Sequence, residues 1–504
     1  MGRTVAISLL LAGCLIVTAA QEVLPASGRP LVGIVHVHTT ASTGTLSLEE
    51  IALRAEASGV DVVLLAENYH LQFNYNLLPL PGLLRISKSF PSLTQSTIAE
   101  YLNSVSNTNR RHPKVLLIPG IETVPHYFWT GSLWRGNLTM HNGQKNILIM
   151  GLYRPEDYQG LPIIGNPEAA RYEVGSLIRA APLLFVFAGL GLLILQRDRR
   201  YRVGGFQVSR RRRPWRLALF LIITGAAWST YNAPFTVPDL AASRPNMRAA
   251  PYQALIDYVN RRGGATIWSY PEAKDFHVHT YPRTGRFGAK FVTKTDPHPE
   301  VLVTSTGYTA FGAIYQDNTT AERPGEAWDQ ALEQYCLGKR DRPVWGLGEL
   351  GFHGRDRKAL TDVLTMFYVG ERTANQVLYA LGSGRMYAII PTRAKRIEVR
   401  AFTLTEGPEE AAFGETLITP PGGSVTLRLA LEAHDGTALP FRATLVRNGK
   451  RWRELEGTTP FSLALNDTPS PDRACTYYRL WMRSPHKLIT NPLFAAPRRE
   501  DISN

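Results

Sequence analysis

The sequence predicts an α/β domain interrupted by a transmembrane helical hairpin and followed by a small β-sandwich. Three observations predict it. Short β-branched runs alternate with amphipathic helical stretches on both sides of residues 177–235. Inside that interval, two apolar runs flank an Arg-rich loop. From about residue 395 the texture changes to alternating β-rich segments separated by Pro and Gly.

The first half spans residues 30–175. VGIVHVH is a β-rich run in which His36 and His38 alternate, so both imidazoles can reach one ion. A helix follows, with Ser47 as N-cap and Glu50 completing a capping box, and Gly59 ends it. VDVVLL then reads as a buried strand, which places the His pair at the strand edge where parallel α/β architectures build their sites.

The second half, residues 245–390, continues the alternation. PYQALIDYVNRRGG is a helix and ATIWS a strand. GEAWDQALEQYCLGKR and PVWGLGEL repeat the pair. TDVLTMFYV is a further strand, and TANQVLYALGSG is a helix capped by Thr373 and Gln376. Residues 395–497 carry IEVRAFTLTE, GSVTLRLALEAH, FRATLVRNGKRW and TYYRLWMR, with RNGK as a hairpin turn. No catalytic constellation stands out there.

The interruption reads as two spans, about 177–195 and 217–235, each near the 20 or so residues a bilayer needs. The loop between them, 196–216, holds nine Arg against one Asp from residue 197 onward, a net +8 of the chain's +14. That concentration fits the positive-inside rule and removes the main argument for a nucleic-acid partner, so none is expected. Residues 1–20 resemble an export signal or N-terminal anchor. Cleavage after Ala20, lipidation at Cys14 in LAGC, and retention uncleaved all stay open. With the Arg loop in the cytoplasm, the main domains fall on the other face of the inner membrane, in the periplasm or its equivalent. Cys336 and Cys475 could pair in such a compartment or remain free thiols.

The motif order resembles the PHP (polymerase and histidinol phosphatase) family. The HxH of His36 and His38, the helix and second strand after it, VLLIPGIE ending in Glu122, GGATIWSYPEA at 263–273 and VWGLGELGFHG at 344–354 carry the resemblance over most of residues 30–390. It implies a distorted β/α barrel, divalent metals (Zn, Mn or Fe) and phosphoester hydrolysis. His36, His38, Glu122 and His353 match family ligands, and Glu67 is a carboxylate swap. Asn68, Asn146, Tyr270 and Gly351 stand where the family has other ligands. Their chemistry implies fewer ions than a full cluster, one or none. His70, His141, His277 and His279 lie near the substituted positions, and the favoured reading for each is an ordinary loop His.

Two functions follow. One is a membrane-anchored, extracytoplasmic, metal-dependent phosphoesterase acting on a small phosphorylated substrate, with His36 and Glu67 in catalytic roles. The alternative is a degenerate barrel that serves as a binding or scaffolding protein. Whether the chain is an enzyme stays open at this level.

Overall fold

The computed structural model describes residues 30–76, 85–132, 135–169, 174–194, 197–212, 214–232, 249–284, 287–355, 358–392, 395–470 and 473–498. The segment expected as a signal or anchor, with Cys14, lies outside them, as do residues 233–235 of the second apolar run.

The fold is mixed α/β. In chain order, the strands that frame the site are β1 (Leu31–Val37), β2 (Val62–Leu65), β3 (Glu67–Asn68), β4 (Leu116–Ile118), β5 (Gly120–Thr123), β6 (Ile147–Met150), β7 (Ala265–Trp268), β8 (Ala310–Ile314), β9 (Trp345–Gly348), β10 (Leu364–Phe367) and β11 (Met386–Ile390). The helices are α1 (Leu48–Ala57), α2 (Ile98–Arg111), α3 (Leu183–Ile194), α4 (Trp215–Asn232), α5 (Ala250–Asn260), α6 (Ala327–Cys336) and α7 (Ala374–Ser383), besides shorter turns. Ser47 and Glu50 make both bonds of the capping box on α1. At α7 the Thr373 hydroxyl accepts from the Gln376 amide, and Gly384 closes the helix at φ +74°.

Two sheets share these strands. One runs β4-β2-β1-β10-β11 and continues into the C-terminal region, and the other runs β3-β5-β6-β7-β8-β9. Single residues, Ala66 and Pro119, separate β2 from β3 and β4 from β5, so each of these chain segments passes from the first sheet into the second. Pro119 has no amide to donate to a ladder, which explains the break inside VLLIPGIE. At the far side of the second sheet, the segment after β9 bonds to β1. The Leu350 amide reaches the Val35 carbonyl at 3.0 Å, Phe352 reaches His36 at 2.9 Å, and His38 reaches Phe352 at 2.9 Å. Val, Ile and Leu of both sheets join one continuous core.

The C-terminal strands are β12 (Ile397–Glu406), β13 (Thr416–Thr419), β14 (Val425–Ala433), β15 (Pro440–Arg447), β16 (Lys450–Thr458), β17 (Phe461–Asp467), β18 (Thr476–Ser484), β19 (Lys487–Thr490) and β20 (Leu493–Pro497). β12, β14 and β17 build a separate antiparallel sheet, joined by the short strand Glu409–Ala411. The others extend the first sheet, because β19 pairs with β11 from Tyr387↔Thr490 to Ile390↔Lys487. The RNGK turn joins β15 to β16, with Asn448 and Gly449 both at positive φ.

Three contacts lock this region to α6. Cys336 and Cys475 are disulfide-bonded across a sequence separation of 139. Arg479, fully buried, makes a two-pronged pair with Asp329, Nε to Oδ1 at 2.8 Å and Nη2 to Oδ2 at 2.6 Å. Its guanidinium also lies 4.8 Å from the Trp328 ring centroid.

In the interruption, α3 and α4 pack side by side, with Gly189 and Gly225 at points where a Cβ would strike the facing helix. Away from that contact they expose Leu184, Phe187, Leu190, Ile194, Phe220 and Ile223. Leu177–Ile194 is, among the described residues, the one helix long and apolar enough to cross a membrane, at mean hydropathy 2.2. The described part of the second run, α4, does not reach that mark, since Arg216 and the polar end Ser229–Asn232 dilute it. The Arg-rich interval is not an irregular loop. Arg197–Val203 and Phe206–Arg212 pair as an antiparallel hairpin.

Replacing one member of a buried pair leaves an uncompensated charge. Asp329→Ala is therefore expected to lower stability by about 3–5 kcal/mol, read from the midpoint of chemical denaturation of the intact chain. Arg479→Met combined with Asp329→Leu is expected to recover most of that loss.

Candidate metal centre

The site begins with a backbone irregularity. The register between β1 and β2 shifts between Val35 and Val37, and His36 sits there at φ +73°. Simple strand alternation is therefore not what aims the two imidazoles. The bulge turns His36, and His38 follows the strand end. A non-glycine residue in this region costs about 1–3 kcal/mol and persists where the surroundings over-determine it.

Here the surroundings are Glu122 and Glu349. His36 Nδ1 lies 2.6 Å from Glu349 Oε1, while its Nε2 lies 3.3 Å from Glu122 Oε1 and 3.0 Å from His38 Nε2. His38 Nε2 is 3.5 Å from Glu122 Oε2. His36, His38 and Glu122 thus present one donor atom each, all within 4.8 Å of one another, and all three are buried.

Glu122 is delivered by β5 between two neighbours. Asn68 pairs with it in register on β3, and β6 begins just after Asn146. The Asn68 amide donates to Glu122 Oε2 at 2.7 Å, and the Asn146 amide donates to Glu122 Oε1. These two asparagines cap the carboxylate as neutral donors. The Oδ1 of Asn146 is buried and has no hydrogen-bond partner among the described residues.

Burial alone would lower the pKa of His36. The charges and hydrogen bonds of Glu122 and Glu349 outweigh it and raise the value to about 10. Burial would likewise raise Glu122, but His36 first, then His38 and Asn146, pull it down to about 2. His38 stays neutral, because burial outweighs Glu122 and the other imidazoles add to the lowering. Without a metal, then, the positive charge between the two carboxylates is the proton on His36.

Two expected ligands lie beside this cluster rather than in it. Glu67 accepts from the Thr39 amide at 2.9 Å, from the Thr39 hydroxyl at 2.6 Å and from the Ser42 hydroxyl. It therefore ties down the loop after His38. His353 stacks on His38 with ring centroids 4.1 Å apart, and its Nδ1 is 3.2 Å from the Thr43 hydroxyl. It is outside the group of converging donors.

Tyr270 and Gly351 are sterically coupled to each other. Tyr270 stacks on His36 at 5.3 Å, and a Cβ built on Gly351 would overlap the Tyr270 hydroxyl. The phenol fills the space that a side chain at 351 would need. Burial, with Glu349 and Glu122 nearby, holds Tyr270 well above its ordinary pKa, so it is a neutral phenol and a poor ligand.

Glu349 is the site residue that the motif comparison overlooked. Ser269 donates to its Oε1 at 2.6 Å and the Tyr270 amide to its Oε2 at 3.0 Å. A Cβ at Gly312 would strike its carboxylate, so that glycine makes room for it. The available signal was a carboxylate at the end of the apolar run VWGLGE, a placement that needs a buried partner.

The nearby histidines are engaged elsewhere. His141 stacks on Phe128 and sits 2.8 Å from the Thr130 hydroxyl. His277 pairs with Asp275 at 2.9 Å, and His279 stacks on Phe291. His70 packs edge-on against Tyr69.

The donor set fits a single divalent ion. Two imidazoles and a carboxylate converge, an orphaned amide oxygen stands beside them, and a carboxylate behind His36 fixes which ring nitrogen faces the site.

No family model matches the sequence, and no curated protein matches it. Among solved structures, the chain is similar to a two-domain protein from Bacteroides vulgatus containing a predicted PHP-like metal-dependent phosphoesterase, at 11% identity and TM-score 0.32, covering 92% of this chain and 95% of that one. It is also similar to an inferred metal-dependent phosphoesterase from Bifidobacterium adolescentis, at 14% identity and TM-score 0.27, covering 67% of this chain and 92% of that one. Similarities of this size leave the assignment to the geometry of the site.

Gly351→Asp alone is expected to destabilise the fold by about 2–4 kcal/mol, since it both overpacks against Tyr270 and holds Asp at positive φ. Adding Tyr270→His is expected to recover part of the stability and to raise the bound metal per chain, measured by plasma emission spectrometry. An unchanged metal content in the stable double variant would argue against this coupling.

Proposed function

We propose that this chain is a membrane-anchored, metal-dependent hydrolase of the PHP type, with a distorted β/α barrel that works with one ion and acts on a phosphorylated small molecule. The observation that carries the reading is the convergence of His36, His38 and Glu122 with Glu349 bonded to the far nitrogen of His36. A purely structural His pair would not need a carboxylate behind it and a carboxylate in front of it.

His36, His38 and Glu122 hold the ion, and Asn146 adds its free amide oxygen. The bound ion would supply a water of lowered pKa and polarise a phosphoryl oxygen. Glu349 keeps the Nε2 of His36 facing the site, and Asn68 orients Glu122. Glu67 fixes the loop that carries His38. Barrel closure is supported by the hydrogen bonds between the segment after β9 and β1.

The membrane anchor is supported by the apolar helix Leu177–Ile194 and by the exposed apolar faces of α3 and α4. An extracytoplasmic location is supported by the Cys336–Cys475 disulfide, a bond that oxidising compartments favour.

A second reading, a degenerate barrel that binds or scaffolds, is favoured by one specific observation. The Tyr270 hydroxyl fills the space before Gly351, where a further ligand would stand.

Purified intact protein is expected to carry close to one equivalent of Zn, Mn or Fe. Hydrolysis of an aryl phosphate is expected to vanish with a chelator and with His36→Ala. Glu349→Gln is expected to weaken metal affinity about 10–100-fold while leaving the fold intact. Protein that binds no metal and hydrolyses nothing, yet remains folded, would decide for the scaffold.

A further inference from the structure

A second cavity lies outside the metal centre, with a volume of about 820 Å³. It sits between two elements the site does not use. One is the hairpin of strands Gln72–Asn76 and Arg85–Ser89. The other is the four-stranded sheet formed by Phe128–Thr130, Leu138–His141, Asp275–Thr284 and Phe287–Thr295.

Its walls are mostly apolar. Phe73, Tyr75, Trp129, Leu138, Met140 and Phe291 line it. The rings brace one another edge to face, Tyr75 on Trp129 at 5.4 Å and Trp129 on Phe291 at 6.1 Å, so the walls are held open by packing rather than filled by it. A cavity of this size and lining suits one small amphiphilic molecule.

The polar groups are few and unequal. Asp275 is paired with His277. Lys88 is exposed, lies 5.6 Å over the Phe90 ring, and makes no ion pair among the described residues. Among the described lining residues it is therefore the cation without an ion-pair partner, while the carboxylate of Asp275 is held by His277. His279 adds a ring nitrogen, 3.2 Å from the Thr293 hydroxyl. Ile86 and Phe90, which also line the cavity, are 50% and 40% exposed, an apolar rim open to the outside.

We propose that this cavity binds a single alkyl chain bearing an anionic phosphate or carboxylate head, with the chain among the aromatic walls and the head at Lys88. The site is separate from the metal centre and does not depend on a bound ion. Its occupant comes from the bilayer or from solution, and both sources share this chemistry.

The test is calorimetric titration of the intact chain, held in phosphatidylcholine nanodiscs, with octyl phosphate, after subtraction of empty discs. The proposal expects one saturable site. Met140→Trp, which fills the cavity, is expected to weaken it about tenfold, and Lys88→Glu, an exposed change that spares the core, about threefold or more. Octyl glucoside, with the same chain and a neutral head, is expected to bind at least about tenfold more weakly. Discs containing phosphatidylglycerol separate the sources: weakened octyl phosphate binding places the occupant in the bilayer, and unchanged binding places it in solution. No saturable binding, equal binding of octyl glucoside, unchanged binding in both variants, or loss of binding on chelation would overturn the proposal.

Discussion

The structure depends on one electrostatic constraint, the burial of three carboxylates where the two sheets meet. Glu67, Glu122 and Glu349 are all shielded from water, and an isolated charge there is prohibitive. Each is answered differently. Glu67 is satisfied by the loop hydroxyls and an amide, Glu349 by Ser269 and the Tyr270 amide, and Glu122 by two asparagine amides. Among the described residues only His36 serves two of them at once, and it does so from a bulged, positive-φ backbone. The distortion of β1 is thus the geometric cost of placing one imidazole between two acids.

The residues around the cluster answer to the same constraint. Asn68 and Asn146 are neutral donors that keep the Glu122 carboxylate oriented without adding charge. The Tyr270 phenol fills the space that a side chain at Gly351 would need. Of the described side chains of Asn68, Asn146 and Tyr270, Asn146 leaves one buried amide oxygen without a hydrogen-bond partner among the described residues.

Much of the fold was legible because hydrophobic periodicity and caps are local. The VGIVHVH strand, the Ser47 helix, the ATIWS and VWGLGEL strands and the Thr373 helix all fall where their patterns put them. His36, His38 and Glu122 were legible from their order along the chain. What could not be read was spatial. Glu349 is two residues from Gly351, and nothing in a linear motif says that its carboxylate turns toward His36. The convergence failed for Glu67 and His353 for the same reason, since spacing places a residue at a strand end without fixing which donors reach it first. The Cys336–Cys475 bond joins residues 139 apart, beyond any local signal.

The C-terminal region, which carried no motif of its own, turns out to support the site. Asn491, wholly buried, accepts from the Gly346 amide at 2.8 Å and donates to the carbonyls of Gly346 and Met386. It thereby bonds β9 to β11 three residues before Glu349. β19 pairs with β11 beside it and with β18, and the disulfide and the Arg479–Asp329 pair hold β18 against α6. The position of Glu349, and through it the aim of His36, is therefore set partly by residues more than a hundred positions downstream. A chain cut at residue 390 would keep His36, His38, Glu122 and Glu349 and lose the bracing that gives the Glu349 carboxylate its place.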